Sequence, residues 1–128
     1  MSASNYLEAA ILDHIFDEAA YTAPTWYVAL FTADPEETGA SGEVSTVGTD
    51  YTRIALGATT RTDDSVVNDA AVEFAAAAAA WGTITHFGLF DADTAGNFLA
   101  GGALASSKVV GTGDTVKFTA GTLEVTLD

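Results

Sequence analysis

The residues most able to do chemistry are the two histidines, His86 within Thr83-Ile-Thr-His-Phe-Gly-Leu-Phe90 and His14 near the N-terminus. An imidazole titrates near neutrality and acts as a general base when a nucleophile and a carboxylate are brought to it. No Gly-x-Ser-x-Gly run marks a nucleophilic serine. The chain has no cysteine, so thiolate chemistry and Cys-based zinc sites are absent, and no redox compartment follows. His86 is therefore expected to be a structural strand residue bonded to backbone or water, and His14 to sit exposed on a helix flank.

Asp91-Ala-Asp-Thr-Ala-Gly-Asn97 opens like a calcium loop, with acids at positions one and three and glycine at six. Position five is Ala95, and position twelve is Gly102 where a bidentate glutamate is required. The expectation is a hairpin turn whose Asp and Asn side chains bond their own backbone. Gly111-Thr-Gly-Asp114 is too short and too acidic to cradle phosphate and reads as a turn. Asp63-Asp64 and Glu36-Glu37 are neighbours in sequence and expected to be exposed, without the burial that separates catalytic pKa values. Trp26 and Trp81 are expected in the core; if exposed, they would offer stacking surfaces for sugar rings. The chain is thus expected to be no enzyme, with no catalytic, cofactor-binding or metal-binding residues and no cofactor.

Charge narrows the partners. Eighteen acidic residues against four basic ones give a formal net charge of −14. Nucleic-acid affinity comes largely from Lys and Arg displacing counterions, so no nucleic-acid partner is expected. Such acidity suits solubility or a salty medium; it also suits a surface that meets a basic partner. No apolar run approaches the roughly 18 to 20 residues of a membrane span, and the N-terminus lacks the pattern of a signal peptide, so neither membrane nor export is expected.

The elements that must position these residues follow from periodicity. The 128 residues, 48% of them hydrophobic, fit one domain spanning 1–128. Asn5-Tyr-Leu-Glu8 resembles a capping box and predicts a helix over about 5–20. Leu7, Ile11, Ile15 and Ala19, widened by Ala10, Leu12 and Phe16, form the stripe expected to pack it on a core. Asp17 and Glu18 fall at the helix end, where the macrodipole prefers cations, so either solvent screens them or a basic group from elsewhere meets them.

Beyond Pro24, Thr25 to Thr32 is apolar on both faces and reads as a strand covered on both sides. Ala33 to Gly48 reads as a long exposed loop suited to a contact or a mobile segment. Further strands are expected at Tyr51 to Leu56, Ala71 to Ala75, Thr83 to Phe90, Phe98 to Ala105, Thr115 to Thr119 and Gly121 to Leu127, with a turn at Asp63-Asp64. One helix and six or seven short strands predict a mainly β fold: an antiparallel β-sandwich or small barrel over about 25–128, with the N-terminal α-helix packed against it. Ala75 to Ala80, six consecutive alanines, are too few for an independent helix. They are expected to form a strand end passing into a connection, whose small side chains admit a neighbouring chain or loop.

The ordered series Tyr27-Val-Ala-Leu-Phe-Thr-Ala-Asp-Pro35, Tyr51-Thr-Arg53, Asn68-Asp-Ala-Ala-Val-Glu-Phe74, Trp81-Gly-Thr-Ile-Thr-His-Phe-Gly88, Gly102-Ala-Leu104 and Phe118-Thr-Ala-Gly-Thr-Leu-Glu-Val-Thr-Leu-Asp128 resembles a family of small virion structural proteins of tailed bacteriophages, often described as tail fibre or minor structural proteins. The resemblance implies a non-enzymatic role in the virion, assembled in the host cytoplasm, with other virion proteins as partners, and a homo-oligomer is expected. Without repeats or coiled-coil heptads the chain is a poor fibre shaft. The expectation is a capsid decoration or cement protein on the major capsid protein lattice. The alternative is a tail-, collar- or baseplate-associated protein related to tail fibres, with host-glycan binding.

Overall fold

A computed structural model describes residues 2–127; Met1 and Asp128, the ends of the expected domain, lie outside the described residues. In chain order the elements are β1 (Ser2–Ala3), α1 (Asn5–Ile15), β2 (Tyr27–Phe31), β3 (Ile54–Ala55), β4 (Thr59–Thr62), β5 (Ser65–Asn68), β6 (Val72–Glu73), β7 (Gly82–Phe90), β8 (Phe98–Val110), β9 (Lys117–Phe118) and β10 (Glu124–Thr126). The largest sheet has the order β1-β8-β7-β2-β3, and smaller sheets are β10-β5-β4 and β6-β9, with every pair antiparallel. This is the expected mainly β, sandwich-like fold with one helix. No helix among the described residues is long and apolar enough to cross a membrane.

The helix differs from its expectation at both ends. Ser4, not Asn5, is the N-cap: its hydroxyl accepts from the Leu7 N–H at 3.2 Å and donates to the Phe98 carbonyl. One buried side chain thus caps α1 and fastens it to the start of β8. The helix stops at Ile15 rather than 20, because Asp17 adopts a left-handed φ of 61° and Glu18 N–H folds back to the Asp13 carbonyl at 2.8 Å. The apolar stripe does not pack on the core as expected. Only Leu7 is buried, Ala10 and Ile11 are half-buried, and Leu12, Ile15 and Phe16 are exposed.

Strand β2 is covered on both faces, as its pattern predicted. Val28 and Leu30 face the main core with Trp81, Ile84, Leu89 and Ala100. Ala29 and Phe31 join Phe90 and Phe98 in a second cluster. Gly88 makes this second layer possible: a Cβ there would lie 2.6 Å from Phe31 Cε2 and 2.9 Å from Phe98 Cε2. The glycine of the Trp81 to Gly88 block is therefore a packing requirement of two aromatic rings.

Several strand expectations change. The strand expected at 51–56 shrinks to Ile54–Ala55, and β4 pairs β5 through a two-residue turn at Asp63-Asp64, with Asp63 at φ 51°. Such tight hairpins favour positive φ at the turn. Strand β8 runs on to Val110, but Ile84 faces Lys108 while His86 faces Ala103, so residues 104–107 bulge out opposite Thr85. The alanine run contains no helical turn. Ala77 is buried, exchanging backbone hydrogen bonds with Asp114 (2.9 Å) and Gly113 (2.7 Å), while Ala78 N–H bonds the Thr49 carbonyl at 3.0 Å. The small side chains admit neighbouring loops of the same chain.

Candidate functional site

Polar chemistry in the interior converges on Arg53. Its Nε and Nη2 donate to the two Glu43 carboxylate oxygens at 2.8 Å each, a bidentate pair. Its Nη1 donates to the carbonyls of Ala92 (3.0 Å) and Ala95 (2.7 Å). The guanidinium lies 3.5 Å from the Phe90 ring centroid, so the cation also rests on an aromatic face. Tyr51 extends the network by donating to Glu43 Oε1 at 2.9 Å and accepting from the Leu30 N–H at 3.0 Å.

Most of Ala33 to Gly48 is exposed loop, as expected, but the arrangement anchors it. That segment is tied down by Thr32 N–H to the Gly42 carbonyl (2.8 Å), by Val44 N–H to the Leu30 carbonyl (3.0 Å), and by Glu43 to Arg53. Val44 and Pro35 are buried. Sequence reasoning missed the clamp because its partners are separated in the chain. The available signal was the isolation of Arg53, the first basic residue in an acidic sequence, next to Tyr51.

Burial raises the Tyr51 hydroxyl pKa far above the ordinary tyrosine range, with the Glu43 charge adding to the effect. Because the folded-state pKa exceeds the unfolded value of about 10, this contribution is fully present below about pH 10 and is lost as pH rises above it. The slope approaches about 1.4 kcal/mol per pH unit for one proton. Denaturant titrations at increasing alkaline pH are expected to show the native protein losing stability more steeply than Tyr51→Phe. The variant starts less stable at neutral pH because the Leu30 N–H loses its acceptor; parallel pH profiles for the two proteins would contradict the assignment.

The residues first considered for chemistry are held in structural roles. His86 is half-buried in β7, as expected for a structural strand residue, with Nδ1 2.8 Å from the Thr85 hydroxyl. His14 is exposed, and its Nδ1 accepts from the Tyr21 N–H at 3.2 Å. Asp91 closes its turn by accepting from Asn97 N–H (2.6 Å) and Asn97 Nδ2 (2.8 Å), as expected for Asp and Asn in a hairpin. The carbonyls inside that turn face the Arg53 guanidinium, which occupies the role a cation would have in a calcium loop. No group of three or more metal-ligating side chains occurs among the described residues. In Gly111-Thr-Gly-Asp114, Asp114 Oδ2 accepts from Gly111 N–H at 2.8 Å, closing the expected turn. Glu36, Glu37, Asp63 and Asp64 are exposed. Trp81 is buried, and Trp26 is half-buried against the main core.

Two apolar surfaces remain open. A groove of about 740 Å³ lies between α1, β3 and β10, lined by Leu7, Ile11, Trp26, Leu56 and Val125 among others. Beside it, Leu12, Ile15 and Phe16 of the helix are more than half exposed, at 56, 64 and 69%. The second groove, about 520 Å³, opens where β8 bulges and is bordered by β9. Its floor includes Ile84, Phe87, Leu104 and Phe118, and both Lys108 and Lys117 line it.

A protein-family model described as podophage GP4 fiber I protein gp80 matches residues 2–126. No curated protein matches the chain.

Proposed function

The chain belongs to the podophage GP4 fiber I protein gp80 family, and from that premise we propose that it is a non-enzymatic structural module of the phage tail, within or attached to a fibre. As a phage structural protein it is a virion component and associates with other virion proteins. The family match over residues 2–126 carries this reading. Of the two positions expected in the virion, the tail-associated one agrees better with the family's description than capsid decoration does. An acidic exterior is equally compatible with a capsid knob and with a tail appendage.

Physical features support a module rather than a shaft. All strands but β7 and β8 are short, the sheets close on one main core, and Arg53 ties the polar loops to it. Host-glycan stacking on Trp81 is disfavoured because its ring is buried, while Trp26 is half-buried against the core at the wall of the α1 groove. The test is fractionation of disrupted virions. The protein is expected with tails and absent from tail-less heads. Retention by emptied heads, in the proportion of the capsid lattice, would overturn the tail assignment.

A further inference from the structure

We propose that the exposed apolar face of α1 docks into the Lys108/Lys117 groove of a second copy of this chain, giving a head-to-tail contact. At about 100° per residue, Leu7, Ile11, Ile15, Leu12 and Phe16 fan over roughly half the helix circumference. The fold buries Leu7 and half-buries Ile11 on one edge of that fan and leaves Leu12, Ile15 and Phe16 exposed. A helix with so wide an apolar arc is patterned for burial on both flanks, and within one copy the second flank is left to solvent.

The charge around this face selects its partner. Asp13, Asp17 and Glu18 are exposed and interleave in sequence with Leu12, Ile15 and Phe16 at the negative end of the helix dipole, and no Lys or Arg precedes Arg53 in the sequence. The matching surface is an apolar concavity edged by cations. The chain has four Lys and Arg residues. Arg53 is committed to Glu43, and Arg61 lies on exposed β4 with Nη1 donating to the Asp63 carbonyl. The other two, Lys108 and Lys117, line the same apolar-floored groove, and neither forms an ion pair among the described residues.

The two surfaces meet the β7–β8 ladder at different positions. The helix is joined through β1 to Ala100, which faces Leu89, whereas Lys108 faces Ile84. No residue of α1 lines this groove, and Leu12, Ile15 and Phe16 stay exposed, so the helix face does not fill its own groove. The contact is heterologous, and repetition gives a ring or a filament. A symmetric helix-to-helix dimer is disfavoured because it opposes like charges, and an anionic lipid surface is disfavoured for the same reason.

The inference stands on these surfaces and goes beyond the tail assignment; a monomeric chain found in tails would sink the former and leave the latter intact. The test uses the full chain in sedimentation velocity over a concentration series. Native protein is expected to associate. A groove variant, Lys108→Glu with Lys117→Gln, and a helix variant, Asp13→Lys with Glu18→Lys, are each expected to weaken association by roughly tenfold or more. Lys117 is neutralised rather than reversed because it faces Glu73 across the β6–β9 pair. Mixing the two variants is expected to restore association, since each then meets a complementary surface. Phe16→Ser, at an exposed position that leaves the fold intact, is expected to weaken association as well. A native chain that stays monomeric, association indifferent to these changes, or no recovery on mixing would overturn the proposal.

Discussion

Replacing Arg53 with methionine is expected to lower unfolding stability by about 3 kcal/mol, the lower end of the range for removing one partner of a buried ion pair. The Arg53 side chain is 9% exposed and that of Glu43 24%, so water partly screens the carboxylate left behind. Methionine keeps much of the packing over Phe90, which isolates the loss of the cation. Four guanidinium hydrogen bonds disappear with it, two to Glu43 and one each to Ala92 and Ala95. Glu43→Gln is expected to cost less, because Arg53 keeps both turn carbonyls and its ring contact. Adding Glu43→Leu to Arg53→Met should recover part of the loss by removing the stranded charge. Guanidinium midpoints of the native protein, Arg53→Met, Glu43→Leu and the Arg53→Met/Glu43→Leu double variant form a double-mutant cycle, and additive effects would contradict the clamp.

Trp81→Ala is expected to cost about 3 to 5 kcal/mol, the range for truncating a buried aromatic side chain. The indole lies edge-on to Tyr51 at 5.4 Å and to Phe74 at 6.3 Å between centroids, so its removal opens the centre of the aromatic layer. It also removes the hydrogen bond from Nε1 to the Thr49 carbonyl at 2.9 Å. That carbonyl still accepts from Ala78 N–H, so most of the loss comes from the cavity. Trp81→Phe, which fills part of the space, is expected to lose less than half as much as Trp81→Ala in the same denaturant titration. Equal losses would place the energy in the hydrogen bond instead.

Local pattern made some elements legible and hid others. Strand β2 could be read because apolar residues on both faces require cover on both faces, and Phe31 and Leu30 each found theirs. The β7–β8 hairpin could be read from its Asp and Asn turn. Strand β4 could not: Thr-Thr-Arg-Thr has no apolar alternation, and all four residues are exposed, so pairing with β5 alone defines it. The helix stripe was visible, but periodicity says which residues want burial and not what buries them. The Ser4 cap was missed because its second partner, the Phe98 carbonyl, is 94 residues away.

The same limit applies to the polar interior. Glu43 sits in a polar, glycine-rich stretch that reads as solvent-exposed, and only the approach of Arg53 and Tyr51 gives it a role. The alanine run combined both cases. Its small side chains signalled close approach, but the approaching residues, Thr49 and the turn ending at Asp114, come from distant parts of the chain.

The most direct measurement is a reconstruction of the intact virion at a resolution that separates β-strands. The account predicts density for this fold in the tail, at or within a fibre. Density for the same fold distributed over the capsid lattice, with none at the tail, would contradict it.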